Sequence, residues 1–301
     1  MTEGMLQTIN TTAEVIVAHT CKLGEGPVWN EEGQCILWLD VLNGQIHSYY
    51  PEGKEHRTFN VNRMVGAIAL RKSGGLVAAL QDGFALINMD YNTIIPIADP
   101  EADLPGNRFN DGKCDPEGRF WAGSMSLTEE AHAGSLYVLG PNLTVSKKIG
   151  NTTISNGMAW SPDHSTYYYI DTPTMEVAAY DYDAATGAIT NRRVAIKVPV
   201  EEGYPDGMTI DTEGMLWIAH WDGWQVGRWN PETGEKLMSI KLPVARVSCC
   251  TFGGETMEDL YITTAKKELS ERELKEQPLA GALFVVKNCG FKGVAPFEFK
   301  G

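Results

Sequence analysis

The sequence predicts an all-β, six-bladed propeller whose central channel carries a metal site, on three observations. A distinctive residue followed by glycine and an apolar stretch returns along the chain. Its period of roughly 40–50 residues is that of four-stranded blades. Short apolar runs follow Gly, Pro and Asp turns at regular spacing, and amphipathic helical windows are scarce. A sandwich would use such strands but would not require the whole unit to repeat.

The units follow in order. The strand-like Glu14–Ala18 precedes the first and is expected to complete the last beside Leu283–Val286, so that the two ends of the chain close the ring. Unit one opens on Glu25-Gly26-Pro27-Val28-Trp29, turns at Glu32-Gly33, continues through Cys35–Leu39 and reaches Gln45–Tyr49 before Pro51-Glu52-Gly53. The second begins at Val65-Gly66 and turns at Ser73-Gly74-Gly75 into Leu76–Leu80. Asp111-Gly112-Lys113-Cys114, Pro116-Glu117-Gly118 and Arg119–Gly123 make the third. The fourth runs from Asn156-Gly157-Met158-Ala159-Trp160 through Pro162-Asp163 to Thr166–Ile170, then Val177–Asp181 before Thr186-Gly187. Asp206-Gly207-Met208 begins the fifth, with Glu213-Gly214, Met215–Ala219 and Val226–Trp229 following. A degenerate sixth opens at Ser248-Cys249-Cys250 and continues after Gly253-Gly254 into Asp259–Thr263. Glycine, Pro and Asp supply the dihedrals that tight hairpins require. Each unit exposes an apolar face that only its neighbours can bury, so the ring must close. Leu269–Glu276 alone reads as helical, a short surface insertion. A single domain over residues 1–301 is expected, with 1–12 a loosely attached segment.

The bulk numbers narrow the function. With 43% hydrophobic and 21% charged residues, the 301-residue chain is globular. A net charge of −14 repels phosphate backbones and anionic lipids, so neither nucleic acid nor membrane is an expected partner. The first residues lack a basic region followed by an apolar core, and no stretch approaches a membrane span. Cys21, Cys35, Cys114, Cys249, Cys250 and Cys289 show no metal or disulfide spacing and sit mostly in apolar runs. They read as free buried thiols, and the expected location is the cytoplasm. A monomer or small homo-oligomer is expected.

In a radial repeat, equivalent positions converge on the axis. The motif register therefore places Glu25, Asp111, Asn156 and Asp206 together at one mouth of the channel. Oxygen donors without convergent Cys or His suit a hard cation: Ca²⁺, Mg²⁺ or Mn²⁺, with Zn²⁺ a weaker alternative. Arg108 lies beside the same mouth, either to bind a substrate's oxygens or to pair with Asp111 or Asp115. Trp221, Trp224 and Tyr204 could wall a ring-shaped ligand or simply fill the core. The sequence contains no Gly-x-Ser-x-Gly elbow, phosphate-binding loop or HExxH helix. His19, His47, His56, His132, His164 and His220 are not expected to cluster, which argues against His-based nucleophilic catalysis. Asp171, Asp181 and Asp183 read as turn or edge residues.

At these residues the chain resembles the SMP-30/gluconolactonase/luciferin-regenerating-enzyme-like (regucalcin) family, from about Leu23 to the C-terminus. The segments carrying the resemblance are Gly24–Trp29, Asn107–Lys113, Ile154–Gly157, Tyr168–Asp171, Tyr182-Asp183, Pro205–Met208 and Phe252–Gly254. It implies a six-bladed propeller holding one divalent cation, Ca²⁺ foremost with Zn²⁺, Mn²⁺ or Mg²⁺ as alternatives. The implied activity is sugar lactone hydrolysis. By motif, Glu25, Asn156 and Asp206 match the family's metal ligands, Asp206 also matches its catalytic acid/base, and Arg108 and Asn110 match its substrate-binding pair. A substrate-contacting Glu that some lactonases carry after Gly-[ST]-Met is replaced here by Ser126-Leu127, with Glu129 and Glu130 the nearest substitutes. The expected chemistry is metal polarisation of the lactone carbonyl, with Asp206 carrying the proton. The alternatives are a non-enzymatic Ca²⁺-binding regulatory protein and an esterase using the same site.

Overall fold

The computed structural model describes residues 11–301. Residues 1–10 of the segment expected to be loosely attached lie outside the described residues. Six four-stranded antiparallel sheets make the propeller. From the innermost strand outward, blade 1 contains Gly24–Asn30, Cys35–Asp40, Gln45–Tyr50 and Glu55–Asn60. The innermost strands of blades 2 to 6 are Val65–Leu70, Asn107–Cys114, Ser155–Trp160, Tyr204–Ile210 and Val247–Gly253. Each packs on the innermost strand of the next blade, and blade 6 returns to blade 1. Blade 6 is completed by Glu14–Val17, antiparallel to Leu283–Val286, so the N-terminal strand closes the ring as the sequence predicts.

Core residues follow from the alternation along the strands. The apolar faces of adjacent blades bury Trp29, Trp38, Trp121 and Trp217 almost completely. The inner hairpins of blades 3 and 5 repeat one device. Asp115 Oδ2 accepts from Trp121 Nε1, and Asp211 Oδ2 from Trp217 Nε1, both at 2.9 Å. Arg119 and Arg228 neutralise these carboxylates. The predicted helix forms at Glu271–Glu276, and a capping box at Ser270 and Glu273 sets its start.

After the last strand of blade 6 the chain crosses the face bearing the inner hairpin turns. Thr212 N donates to Lys292 O, Lys72 N to Phe299 O, and Lys300 N to Gly118 O. The segment Val294–Phe297 thereby lines the channel at that end, leaving the opposite mouth as the route to the axis. All six cysteines are free and buried. Cys249 lines the channel and Cys250 enters the core between blades 5 and 6, the opposite facing expected of strand neighbours.

Candidate metal centre and active site

Every innermost strand carries one register shift near the open mouth. It falls between Glu25 and Val28, Val65 and Ala67, Phe109 and Asp111, Ser155 and Met158, Pro205 and Met208, and Val247 and Cys249. A bulge of this kind re-aims side chains out of the regular pleat, here toward the axis. Glycine follows from the crowding. Gly26 has φ +52°, and its N–H donates to Glu25 Oε2 at 3.0 Å. A Cβ at Gly157 would lie 2.6 Å from the Asp206 carbonyl, so glycine lets the inner strands of blades 4 and 5 approach.

A cavity of about 370 Å³ opens at this mouth. Glu25, Arg108, Asn110, Asn156 and Asp206 all line it, from blades 1, 3, 4 and 5. Its volume falls in the range of small-molecule sites, about 300–1,000 Å³. Asp111 does not join them. In blade 3 the bulge takes in Asn110, and Asp111 resumes the ladder opposite Gly123, lining the narrower channel beneath with Lys113. The motif register that groups Asp111 with Asn156 and Asp206 is thus displaced by one residue. Counting back from the matching turns at Asp115 and Asp211 corrects it: Asn110 and Asp206 each lie five residues before the turn aspartate.

Buried negative charge dominates the site. Glu25 and Asp206 are 5% and 6% exposed. Desolvation pushes the Glu25 carboxyl well above its ordinary range, and repulsion from Asp206 and Asp111 adds to the effect. Desolvation, then Asp111, does the same to Asp206, against a hydrogen bond from Asn156. Asn156 Nδ2 donates to Thr172 Oγ1 at 2.9 Å, and Thr172 Oγ1 donates to Pro205 O at 2.8 Å. That chain orients the amide, and Asn156 Oδ1 is buried without a hydrogen-bond partner. An orphaned buried acceptor costs about 1–3 kcal/mol. Two crowded carboxylates and one unsatisfied amide oxygen form the donor set of a hard divalent cation, so these residues fit the metal that the sequence predicts.

Arg108 is buried, and among the described residues it forms no salt bridge with Asp111 or Asp115. Its Nη1 donates to Phe109 O at 2.9 Å and Asn110 Oδ1 at 2.8 Å, while Asn110 Nδ2 donates to Ser155 O. Burial lowers the guanidinium to about 10, with Glu25 the strongest opposing charge. Asn110 is therefore held on both sides, and Arg108 presents buried positive charge beside the two carboxylates. Glu129 lines the cavity at 2.7 Å from Lys267 Nζ, whereas Glu130 is not among the lining residues. Tyr204 and Trp221 pair across blade 5 and wall the cavity, and Trp224 lies outside it. Arg246 stacks over Trp221 at 4.7 Å. Sequence reasoning missed Thr172 and Lys267, which reach the cavity from the loops after the second strands of blades 4 and 6, and Arg246, from the link between blades 5 and 6, where no motif marks them. Asp171 accepts from the backbone N–H groups of Thr153 and Ile154, as a turn residue does.

The histidines correct another expectation. His19, His47 and His56 do cluster, with ring centroids 4.8–5.5 Å apart. The cluster sits in blade 1, and none of the three lines the cavity.

Residues 23–266 match the SMP-30/Gluconolactonase/LRE-like region family. Regucalcin of Xenopus laevis is 41% identical over 293 residues, covering 96% of this chain and 98% of that protein. A solved luciferin-regenerating enzyme superposes with a TM-score of 0.91 at 32% identity, covering 96% of this chain and 99% of the other. A regucalcin from Agrobacterium tumefaciens strain C58, described as a calcium-binding protein, gives the same TM-score at 28% identity, covering 96% and 97%. By its fold, its sequence and its matched span, the chain belongs to the SMP-30/gluconolactonase/LRE-like family.

Proposed function

We propose that the protein is a divalent-metal-dependent hydrolase that opens sugar lactones at the mouth formed by blades 1, 3, 4 and 5. The observation carrying this reading is the convergence of Glu25, Asn156 and Asp206 on one cavity, with Asn156 Oδ1 buried and unsatisfied. These three would hold the cation, Ca²⁺ foremost. Bound there, a divalent cation would polarise the lactone carbonyl and favour negative charge developing on its oxygen.

The remaining work falls to the chain. Asp206 takes a proton from the attacking water and returns it to the ring oxygen as the ester C–O bond breaks. Arg108 and Asn110 orient the substrate through its hydroxyl or carbonyl oxygens, reducing the entropic cost of reaching the reactive pose. Tyr204 and Trp221 offer flat apolar surface to the sugar ring. Asp206 supplies the general base, so the reaction needs no serine nucleophile.

The names of the relatives also favour a second reading, a calcium-binding protein without catalysis. Replacing Asn156 separates the two. In Asn156→Ala, bound metal by elemental analysis and lactone turnover should fall together. Full metal occupancy with full turnover would remove Asn156 from the ligand set. Loss of metal from a protein whose wild type never accelerates lactone opening would favour the binding reading.

A further inference from the structure

Blade 1 carries a second constellation, remote in chemistry from the oxygen-lined mouth. His19 and Cys21 lie in the link between the closing strand Glu14–Val17 and the innermost strand Gly24–Asn30. His47 is on the third strand of the blade and His56 on the fourth. One ligand atom from each of His19, Cys21 and His47 lies within 4.8 Å of the others. In a tetrahedral zinc site with bonds of about 2.0–2.3 Å, ligand atoms stand roughly 3.3–3.7 Å apart. Binding would therefore draw the three ligand atoms together by roughly an ångström, and His19, the exposed member, is the freest to move.

His47 is prepared for the role. His47 is completely buried, and its Nε2 has no hydrogen-bond partner. Its Nδ1 lies 3.0 Å from Thr58 Oγ1 and 3.1 Å from His56 Nε2. With His56 Nε2 or the Thr58 hydroxyl accepting from Nδ1–H, the free lone pair of His47 resides on Nε2. A second-shell partner on the other ring nitrogen is the usual support of a metal-bound histidine. Cys21 is fully buried; burial and then the nearby Asp40 push its thiol up to about 12 against a side-chain hydrogen bond from Trp38, so a cation binding there would have to displace the thiol proton. Trp38 also stacks on His47 and His56 at 5.0 and 5.2 Å, fixing both rings.

We propose that His19, Cys21 and His47 form a separate site for a thiolate-preferring divalent metal such as Zn²⁺, with His56 orienting His47. Solvent at the His19 side supplies the fourth ligand. Imidazole and thiolate select Zn²⁺ over the hard cations suited to the oxygen-lined cavity. Because His19 and Cys21 belong to the ring-closing link, a metal there would tie the propeller's closure to blade 1. This inference does not depend on lactone hydrolysis.

Co²⁺ titration of the full chain, reduced and freed of metal by chelation, tests it. The wild type should develop a near-ultraviolet thiolate-to-Co²⁺ charge-transfer band with a tetrahedral visible spectrum, and excess Zn²⁺ should abolish both. The oxygen donors of the mouth cannot produce the thiolate band. Cys21→Ser should eliminate it. His19→Ala, at an exposed position compatible with folding, should weaken Co²⁺ binding by at least the roughly 10–100-fold that outer-shell losses cost. Zn²⁺ should raise the thermal midpoint of the wild type more than that of His19→Ala. No thiolate band at saturating Co²⁺, or a band unchanged in His19→Ala or Cys21→Ser, would overturn the proposal and leave the cluster as packing around Trp38.

Discussion

Asp206→Asn separates activity from stability more sharply than any other substitution at the mouth. The amide keeps an oxygen available to the cation but cannot accept a proton. General base catalysis contributes about 10²–10⁴-fold, so kcat at saturating metal should fall by that order. At 1.36 kcal/mol per tenfold step, the added barrier is about 3–5 kcal/mol. Stability without metal should move the other way. In the wild type, desolvation and the neighbouring Asp111 oppose ionisation of Asp206, and Asp206 in turn opposes ionisation of Glu25. Removing one charge relieves that repulsion, so the chelated variant should melt no lower than the chelated wild type near neutral pH. The cation should stabilise the variant less, because one negative ligand is gone. The assay follows lactone opening by proton release across a metal titration, with thermal melts under chelator and under saturating metal. Wild-type kcat restored at high metal would show that another group carries the proton. A lower melting point for the chelated variant would refute the repulsion argument.

Two further outcomes follow from the same geometry. Arg108→Ala should lower kcat/KM by about 10–100-fold, the loss of one or two charge-assisted hydrogen bonds, while metal content stays normal. Metal lost with unchanged kinetics in the remaining loaded enzyme would reverse that assignment. The pH dependence of the chelated protein should carry the sign of raised carboxyls. Above the ordinary carboxylate range, near pH 4, folded Glu25 and Asp206 retain protons that the unfolded chain has released. Stability therefore falls as pH rises from that range through the raised folded values, by up to about 1.4 kcal/mol per pH unit for each group. Glu25→Gln should flatten this slope in chemical denaturation under chelator. An unchanged slope would show that Glu25 contributes no such proton.

The propeller was legible because its signals are local and repeated. Hairpin turns such as Glu213-Gly214 and inner-strand motifs such as Asn156-Gly157 each announce a strand edge, and the closing strand Glu14–Val17 pairs as expected. The five cavity residues were legible for the same reason, since each lies in or beside a repeated motif. Register was harder. A bulge inserts one residue into the ladder, so Asp111-Gly112 looks equivalent to Asp206-Gly207 while Asn110 occupies the bulge. The turn aspartates Asp115 and Asp211, each bonded to the tryptophan six residues on across the hairpin, hold the true register. Thr172 and Lys267 come from loops inside blades 4 and 6 and Arg246 from the link between blades 5 and 6, all outside the repeated motifs, so spacing along the chain carries no trace of them. The histidine cluster was missed because His19, His47 and His56 sit on three different segments, and only the closing link brings His19 beside the others.

The central claim is that this mouth uses a divalent cation to open lactones. The most direct test is the initial rate of lactone opening by the wild type, over a panel of sugar lactones, after chelation and after stepwise metal add-back. The account predicts spontaneous rates under chelator and saturable recovery on adding Ca²⁺ or another hard divalent cation. At saturating cation, turnover should exceed the spontaneous rate by many orders of magnitude, within the enzymatic range of about 10⁶-fold or more. Undiminished turnover in thoroughly chelated protein would contradict the metal's role, and tight cation binding with no acceleration of any lactone would contradict the hydrolase.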